Sequence, residues 1–274
     1  MNDYQSGQLM LPFFSRADFA EPSVFLPENL LREARRQLNL DDGLVPRVCL
    51  LDPDGDILDY LQHQDRVARS RSWACYHTTL WETEVDGTAV GIVAGVVGSS
   101  FAVLVAEQLF ASGCSLLISI TSSGEIAEVM PATSMILIDR ALRGEGTSHA
   151  YLPPAADVRI NEARAARLGS SLNYSGSPVI RGASWTTDAP FRETTSALMI
   201  AREAGALVVE MEAAALYAFA EARGQDVICF AHVTNSMAVA GADFEKGPTN
   251  GAVQALEMLA AIIRNRDEVG QSGT

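Results

Sequence analysis

Between Thr88 and Gly124 the chain carries a single charged residue, Glu107. The first part, Thr88 to Ala106, runs nineteen residues without a charge, a length that in principle spans a bilayer. Gly91, Gly95 and Gly98 interrupt it, and Gly98-Ser99-Ser100 is turn chemistry. The second part, Gln108 to Gly124, holds Ser112-Gly113 and the Thr121-Ser122-Ser123 cluster. Two uncharged segments divided by turn signals fit the centre of an α/β domain, where strands are covered on both faces and lose the polar alternation of a half-exposed sheet. They do not fit a membrane span.

The flanking pattern agrees. Short apolar runs at Arg47–Leu51, Ala89–Val93, Ser115–Ile120, Met135–Ile138, Ala206–Val209 and Asp226–Val233 predict strands. Helical spacing or composition predicts helices over Pro27–Leu38, Ile57–Gln64, Phe101–Phe110, Glu162–Leu172, Thr194–Ala204, Met211–Arg223 and Asn250–Asn265. Trp73–Glu84 reads as a strand returning through Val85-Asp86-Gly87-Thr88, and Asp52-Pro53-Asp54-Gly55-Asp56 as a turn. Alternating strands and helices, with no internal repeat and no Pro/Gly/Ser linker, predict one α/β domain. We expect a three-layer fold with a central mixed β-sheet flanked by helices over residues 26–265, an N-terminal arm over 1–25 and a polar tail over 266–274.

Charge narrows the partners. The 274 residues carry a net charge of −14 and a pI near 4.7, which disfavours nucleic acid and anionic membrane alike. Any anionic substrate then needs a local basic site. The four cysteines, Cys49, Cys75, Cys114 and Cys229, are scattered without metal-ligand spacing. They predict reduced, buried thiols in a cytoplasmic protein, with no structural metal and no cofactor. The apolar stretch Leu9–Phe14 is short, broken by Pro12 and preceded by no basic segment, so it does not read as a signal peptide.

The chemistry concentrates first in Val208-Val209-Glu210-Met211-Glu212-Ala213-Ala214-Ala215-Leu216. A strand delivers two acids to the start of a helix, at the carboxyl end of the strand where α/β proteins bind ligands. Acids there also complement the helix dipole with no ligand at all. The functional alternative is a carboxylate gripping a vicinal diol by accepting two hydroxyl hydrogen bonds.

This segment, with four others in order, resembles the nucleoside phosphorylase family, the branch with uridine phosphorylase, hexameric purine phosphorylases and nucleosidases. Val209–Ala215 is similar to its ribose-binding signature. Gly95-Val96-Val97-Gly98-Ser99-Ser100 is similar to its glycine turn, Ile118–Ile126 to its phosphate strand and loop, Gly144–Tyr151 to the segment after the next strand, and Val233-Thr234-Asn235-Ser236 to the base-recognising position. The likeness covers roughly residues 45–265. It implies a nucleoside substrate and cleavage of its N-glycosidic bond through an oxocarbenium-like state. Glu212, with Glu210 and Met211, would form the ribose site, and Asn235 would act with Glu212 in catalysis by bonding the base. An amide in place of an acid tilts the base toward a uridine-like pyrimidine or a 6-oxopurine. Asn235 can equally be a turn or capping residue. Trp185, Phe191 and Arg192 would line the base pocket, with core packing as the alternative for the two aromatics.

The departures fall at the phosphate. Leu51 and Gly55 stand where the resemblance implies glycine and arginine, and Ser119 stands where it implies the strand arginine. Arg71, Ser99 and Ser122 remain as a phosphate or nucleophile site, with Arg71 matching a residue lent by a neighbouring subunit; phosphate is a possible co-substrate. An arginine from elsewhere, Arg66, Arg69 or Arg143, would have to fill the vacancy. Asp54 and Asp56 are either turn residues or carboxylates that orient or deprotonate a water. His77, His149 and His232 read as structural or near the pocket. The readings in competition are a phosphorylase, a nucleosidase using water, and a non-catalytic nucleoside-binding protein. The resemblance further implies a homo-oligomer, a dimer or a hexamer.

Overall fold

The computed structural model describes residues 18–40, 42–127, 135–163, 173–174, 177–236, 246 and 248–271. In chain order the helices are α1 (Pro27–Leu38), α2 (Asp56–His63), α3 (Ser99–Ala111), α4 (Thr195–Glu203), α5 (Ala213–Arg223) and α6 (Ala252–Gln271). The strands are β1 (Val48–Asp52), β2 (Ala68–Arg69), β3 (Leu80–Val85), β4 (Thr88–Ala94), β5 (Leu116–Glu125), β6 (Met135–Gly144), β7 (Asp157–Arg159), β8 (Asn173–Tyr174), β9 (Ser177–Pro178), β10 (Ile180–Thr187), β11 (Ala206–Glu210) and β12 (Val227–Ser236). Among the described residues no helix is long and apolar enough to cross a membrane.

The uncharged stretch from Thr88 becomes β4, α3 and β5. A ten-stranded mixed sheet carries them in the order β11-β10-β6-β12-β5-β1-β4-β3-β2, with β7 on β6. β1 lies parallel between β4 and β5, and β12 lies parallel on the other side of β5. The carboxyl ends of β1, β5 and β12 therefore share one edge of the sheet. At that edge β5 runs on to pair antiparallel with β11, Val208 with Glu125 and Val209 with Gly124, although β11 also pairs with β10. The five strands β5, β12, β6, β10 and β11 thus close into a ring, and the end of β11 arrives beside the end of β5.

The helix that follows β11 lies inside the molecule. Every residue of α5 from Ala213 to Ala220 is buried. An all-apolar helix of small residues is what a site packed between sheet and helices requires. The Tyr217 hydroxyl, the polar atom of this run, donates to the Ile138 carbonyl at 2.5 Å and accepts from the Cys229 N–H at 3.0 Å. Gly224 at φ 66 ends the helix in the left-handed conformation that glycine adopts without strain.

Several elements differ from the sequence expectation. The strand expected from Trp73 begins only at Leu80. Residues before it pack under α1 instead: Ala74 joins Leu31 and Ala34, and the Tyr76 hydroxyl donates to Gln37. β10 was unforeseen because its apolar residues are sparse, and β5 and β6 run further than their apolar runs. α6 continues past Asn265 to Gln271. The helix expected over Glu162–Leu172 lies outside the described residues beyond residue 163.

Candidate functional site

Glu210 and Glu212 leave the end of β11 in different directions and have different partners. The two oxygens of Glu210 accept four hydrogen bonds. Oε1 takes the Ser184 hydroxyl at 2.9 Å and the Thr186 hydroxyl at 2.5 Å. Oε2 takes the backbone N–H groups of Glu212 and Ala213, each at 2.7 Å. Four donors fill the acceptor sites of a carboxylate. Glu210 is therefore the cap of α5 and has no site left for a sugar, which corrects its expected ribose role. Burial pushes its pKa up while the four donors pull the other way.

Glu212 is only 1% exposed and does not cap its own helix. Its Oε1 accepts the Gly98 N–H at 2.7 Å, and its Oε2 is buried without a hydrogen bond. The nearby Thr121 hydroxyl is turned to the Ser122 carbonyl while still pulling the carboxyl pKa down. Burial, with the Glu210 charge second and Asp54 further on, pushes its pKa up to about 8. A buried carboxylate oxygen without a donor costs free energy until a donor arrives. The glycine turn is tied down a second time: the buried Ser99 hydroxyl donates to the Met211 carbonyl at 2.7 Å. Gly95 and Gly98, at φ 72 and 93, allow the turn to bring its N–H so close.

Beside Glu212 the ends of β1, β5 and β12 form a small, half-open cleft of about 20 Å³, room for a water, lined by Asp52, Asp54, Asp56, Thr121, Ser122, His232, Asn250 and Gly251 among others. Asp54 Oδ2 accepts the Ser122 N–H at 2.8 Å. Lys246 lies 3.4 Å from Asp54 Oδ1 and is paired with Asp56, which also accepts Asn250 Nδ2 at 2.9 Å. Burial works against the Lys246 ammonium, but the two aspartates outweigh it and raise its pKa. Asp52 is buried and accepts the N–H groups of Gly55 at 3.2 Å and Leu58 at 2.9 Å. Burial, with Asp54 and Asp56 adding to it, pushes its carboxyl up to about 7. Among the described residues no group of acids, histidines and cysteines has the geometry to hold a metal ion.

A family model for the phosphorylase superfamily matches residues 48–264, from β1 into α6. The chain belongs to this superfamily. No curated relative matches it. Members of the phosphorylase superfamily act on nucleosides as phosphorylases or nucleosidases, and this chain shares their mixed sheet with flanking helices.

Against that background the remaining expected site residues separate. Ser122 sits on the cleft. Ser99 faces the Met211 carbonyl and holds the turn in place. Asn235 lies at the end of β12, in register with Gly124. Arg71 is exposed, with no hydrogen-bond partner among the described residues. Trp185 packs with Ile126, Val209 and Ala201. Strand alternation puts it on the opposite face from Ser184 and Thr186, which reach Glu210. Phe191 and Arg192 are exposed on the Pro190–Arg192 turn.

None of the three spare arginines fills the phosphate vacancy in the single chain. Arg143 is held by Ser148, His149 and the carbonyls of Leu152 and Pro153, while Arg66 and Arg69 are exposed near the outer strand β2. The cation that does arrive is Lys246. It meets Asp56 across 190 residues of sequence, so no local pattern announces it. Ser184 and Thr186 were also missed; their signal was the alternation of Ser184-Trp185-Thr186 once that segment is a strand.

Proposed function

We propose that the protein cleaves the N-glycosidic bond of a nucleoside and that water, rather than phosphate, is the favoured nucleophile. The observation that carries the reading is the buried, unpartnered Oε2 of Glu212 beside a cleft whose anion-binding groups are already taken. The Gly98 N–H is bound by Glu212 and the Ser122 N–H by Asp54. Lys246, the described cation that reaches the aspartates of the cleft, is paired with two of them. A phosphate dianion entering here would face three aspartates and compete with internal carboxylates for these donors.

In this reading the sugar places its 2′- and 3′-hydroxyls on Glu212, with Met211 as the apolar wall. Donating to Oε2 satisfies the orphaned oxygen and holds the sugar in one orientation. Hydrogen bonds from the two hydroxyls favour the ionised carboxylate, which then lies near the positive charge that develops on the sugar ring as the base leaves. The leaving base is bonded by Asn235, which favours a uridine-like or 6-oxopurine ring, with Phe191 and Arg192 as further base contacts. The carboxylates of Asp54 and Asp56 orient the water. No cofactor is required by this chemistry. Arg71 and the exposed Phe191 suit a homo-oligomer in which a neighbour completes the site. The four buried, free cysteines suit a reducing compartment such as the cytoplasm.

The experiment is a nucleoside panel with and without phosphate, analysed for free base, ribose and ribose 1-phosphate. Base and ribose without phosphate support the reading. Ribose 1-phosphate formed only with phosphate returns the protein to phosphorolysis, with Lys246 in place of the absent arginines. Nucleoside binding without base release identifies a binding protein.

A further inference from the structure

The cleft contains a histidine that the reading above does not use. His232 is 5% exposed, lines the cleft, and has a ring nitrogen, Nε2, with no hydrogen-bond partner. It sits on β12 directly across from Ser122 on β5, the residue whose N–H fixes Asp54. A buried imidazole is ordinarily satisfied by a carbonyl, a carboxylate or an ordered water. Here the fold brings the ring to the lining of the cleft and leaves this buried nitrogen unsatisfied.

The backbone is also shaped around this ring. A side chain at Gly251 would place its Cβ 2.3 Å from His232 Cε1, so only glycine lets the chain cross the imidazole so closely. Gly251 has φ 77, and the two residues before it, Thr249 and Asn250, hold φ 53 and 50. A β-branched residue in that conformation is strained, and such strain persists only where the surroundings enforce it. The anchor is Asn250, whose amide donates to Asp56. The crossing segment is thus fastened to the same aspartate that pairs with Lys246.

We propose that His232 is a catalytic residue of this site, holding the nucleophilic water on its unpartnered ring nitrogen and taking its proton. The inference rests on the hydrolytic reading. As the water oxygen bonds to C1′ of the sugar, the C1′–N bond breaks and its electron pair leaves with the base. One water proton passes to the imidazole. The base takes a proton from solvent, and the imidazolium returns one to solvent, so the sum is nucleoside plus water giving base plus ribose.

The cleft carboxylates are poorer candidates for this step. Asp54 and Asp56 are ion-paired with Lys246 and hydrogen-bonded, and Asp52 is occupied by two N–H groups. Their oxygens are already engaged by Lys246 and by N–H groups, which leaves them less free to take a proton from a water. His232 is the reverse. Burial, and then the Lys246 charge, lowers its pKa from the ordinary 6.5, so it is neutral at pH 7 and has a lone pair to offer. The charged groups facing it are Lys246, ahead of the Pro248–Gly251 turn, and Asp54 and Asp56, from the β1–α2 turn and the start of α2. Those two aspartates stabilise the imidazolium once it forms.

The test is the pH profile of base release in phosphate-free buffer for the wild type and for His232→Gln, Asp54→Asn and Lys246→Met. A neutral base is required, so activity falls as pH drops through the His232 pKa, on a limb below pH 6.5. His232→Gln should lower kcat by about 10²- to 10⁴-fold, with KM nearly unchanged, and erase that limb. Asp54→Asn removes a neighbouring negative charge and should move the limb to lower pH; Lys246→Met removes a positive charge and should move it to higher pH. These two variants keep the imidazole and test the idea even if His232→Gln does not fold. Hydrolysis that persists within about threefold in folded His232→Gln with the limb intact, or a limb that does not move in opposite directions, overturns the role of His232 and leaves the hydrolytic reading standing. A wild type that releases no base, or only with phosphate, overturns both.

Discussion

The Gly98 N–H donates to Glu212 Oε1 at 2.7 Å, joining the turn before α3 to the start of α5 across 114 residues of chain. This contact uses one oxygen of the carboxylate and leaves the other bare. It also occupies an N–H of the glycine turn. One hydrogen bond thereby fixes the Glu212 carboxylate against the glycine turn.

Replacing Glu212 by Ala should abolish turnover in a protein that still folds. Each lost charge-assisted hydrogen bond to the sugar costs about 1.5–3 kcal/mol. One alone corresponds to roughly a tenfold to hundredfold loss of rate. Steady-state base release checks this, and unchanged kinetics would remove Glu212 from the site.

Glu210→Ala should behave differently although it lies only two residues away. It strands two hydroxyls and two backbone N–H groups in the interior. Each unsatisfied buried donor costs about 1–3 kcal/mol, so the expected loss is about 3 kcal/mol or more of folding stability. Urea unfolding of the two variants side by side should show a large drop in midpoint for Glu210→Ala and a small one for Glu212→Ala.

Stability should fall as pH rises from about 5 to about 8. The Glu212 carboxyl moves from 4.5 up to about 8 on folding, and Asp52 from 3.8 up to about 7. Both bind their protons more tightly folded than unfolded, so the stabilisation is complete below the unfolded values and is lost as pH climbs through the folded ones. Thermal melts across this range should show the decline, and Glu212→Gln should flatten it. A melting temperature that rises toward pH 8 would contradict the assignment.

Phosphate should change turnover little. Losing two arginine contacts weakens a bound phosphate by about two to four orders of magnitude. Titration of phosphate against turnover tests this. Saturation below about a millimolar, with ribose 1-phosphate as product, would show that Lys246 leaves its aspartates to bind the anion.

The protein should associate with copies of itself. Phe191 is 99% exposed in the single chain, and Met199 and Ile200 on the following helix are 56% and 68% exposed. Light scattering at micromolar concentration should give at least a dimer, and Ile200→Asp should lower the mass. A monomeric wild type would refute it.

The chain order of the site was legible early because it depends on local chemistry. Gly95 and Gly98 mark a turn that needs positive φ, Glu210 and Glu212 follow an apolar strand, and Gly224 closes an apolar helix. The alternation of apolar runs with helical segments is likewise a local signal, and it gave the α/β class and most elements. β10 escaped because a strand buried on a polar network carries serine and threonine where apolar residues were sought.

The two acids of Glu210-Met211-Glu212 show where local reading stops. From sequence both stand equally well for a helix cap or for a sugar ligand. Closing β11 onto β5 turned one toward Ser184 and Thr186 and the other toward Gly98, so the first became the cap and the second kept a bare oxygen. The acidic cleft was decided the same way. Asp54 and Asp56 announce a turn by themselves; their pairing with Lys246 and the placing of His232 beside them come from segments far apart in the chain. Sequence determines what each residue can do over a few neighbours, through backbone preference and burial. Which donor meets which acceptor depends on strand register and ring closure, and these are set by packing of the whole core.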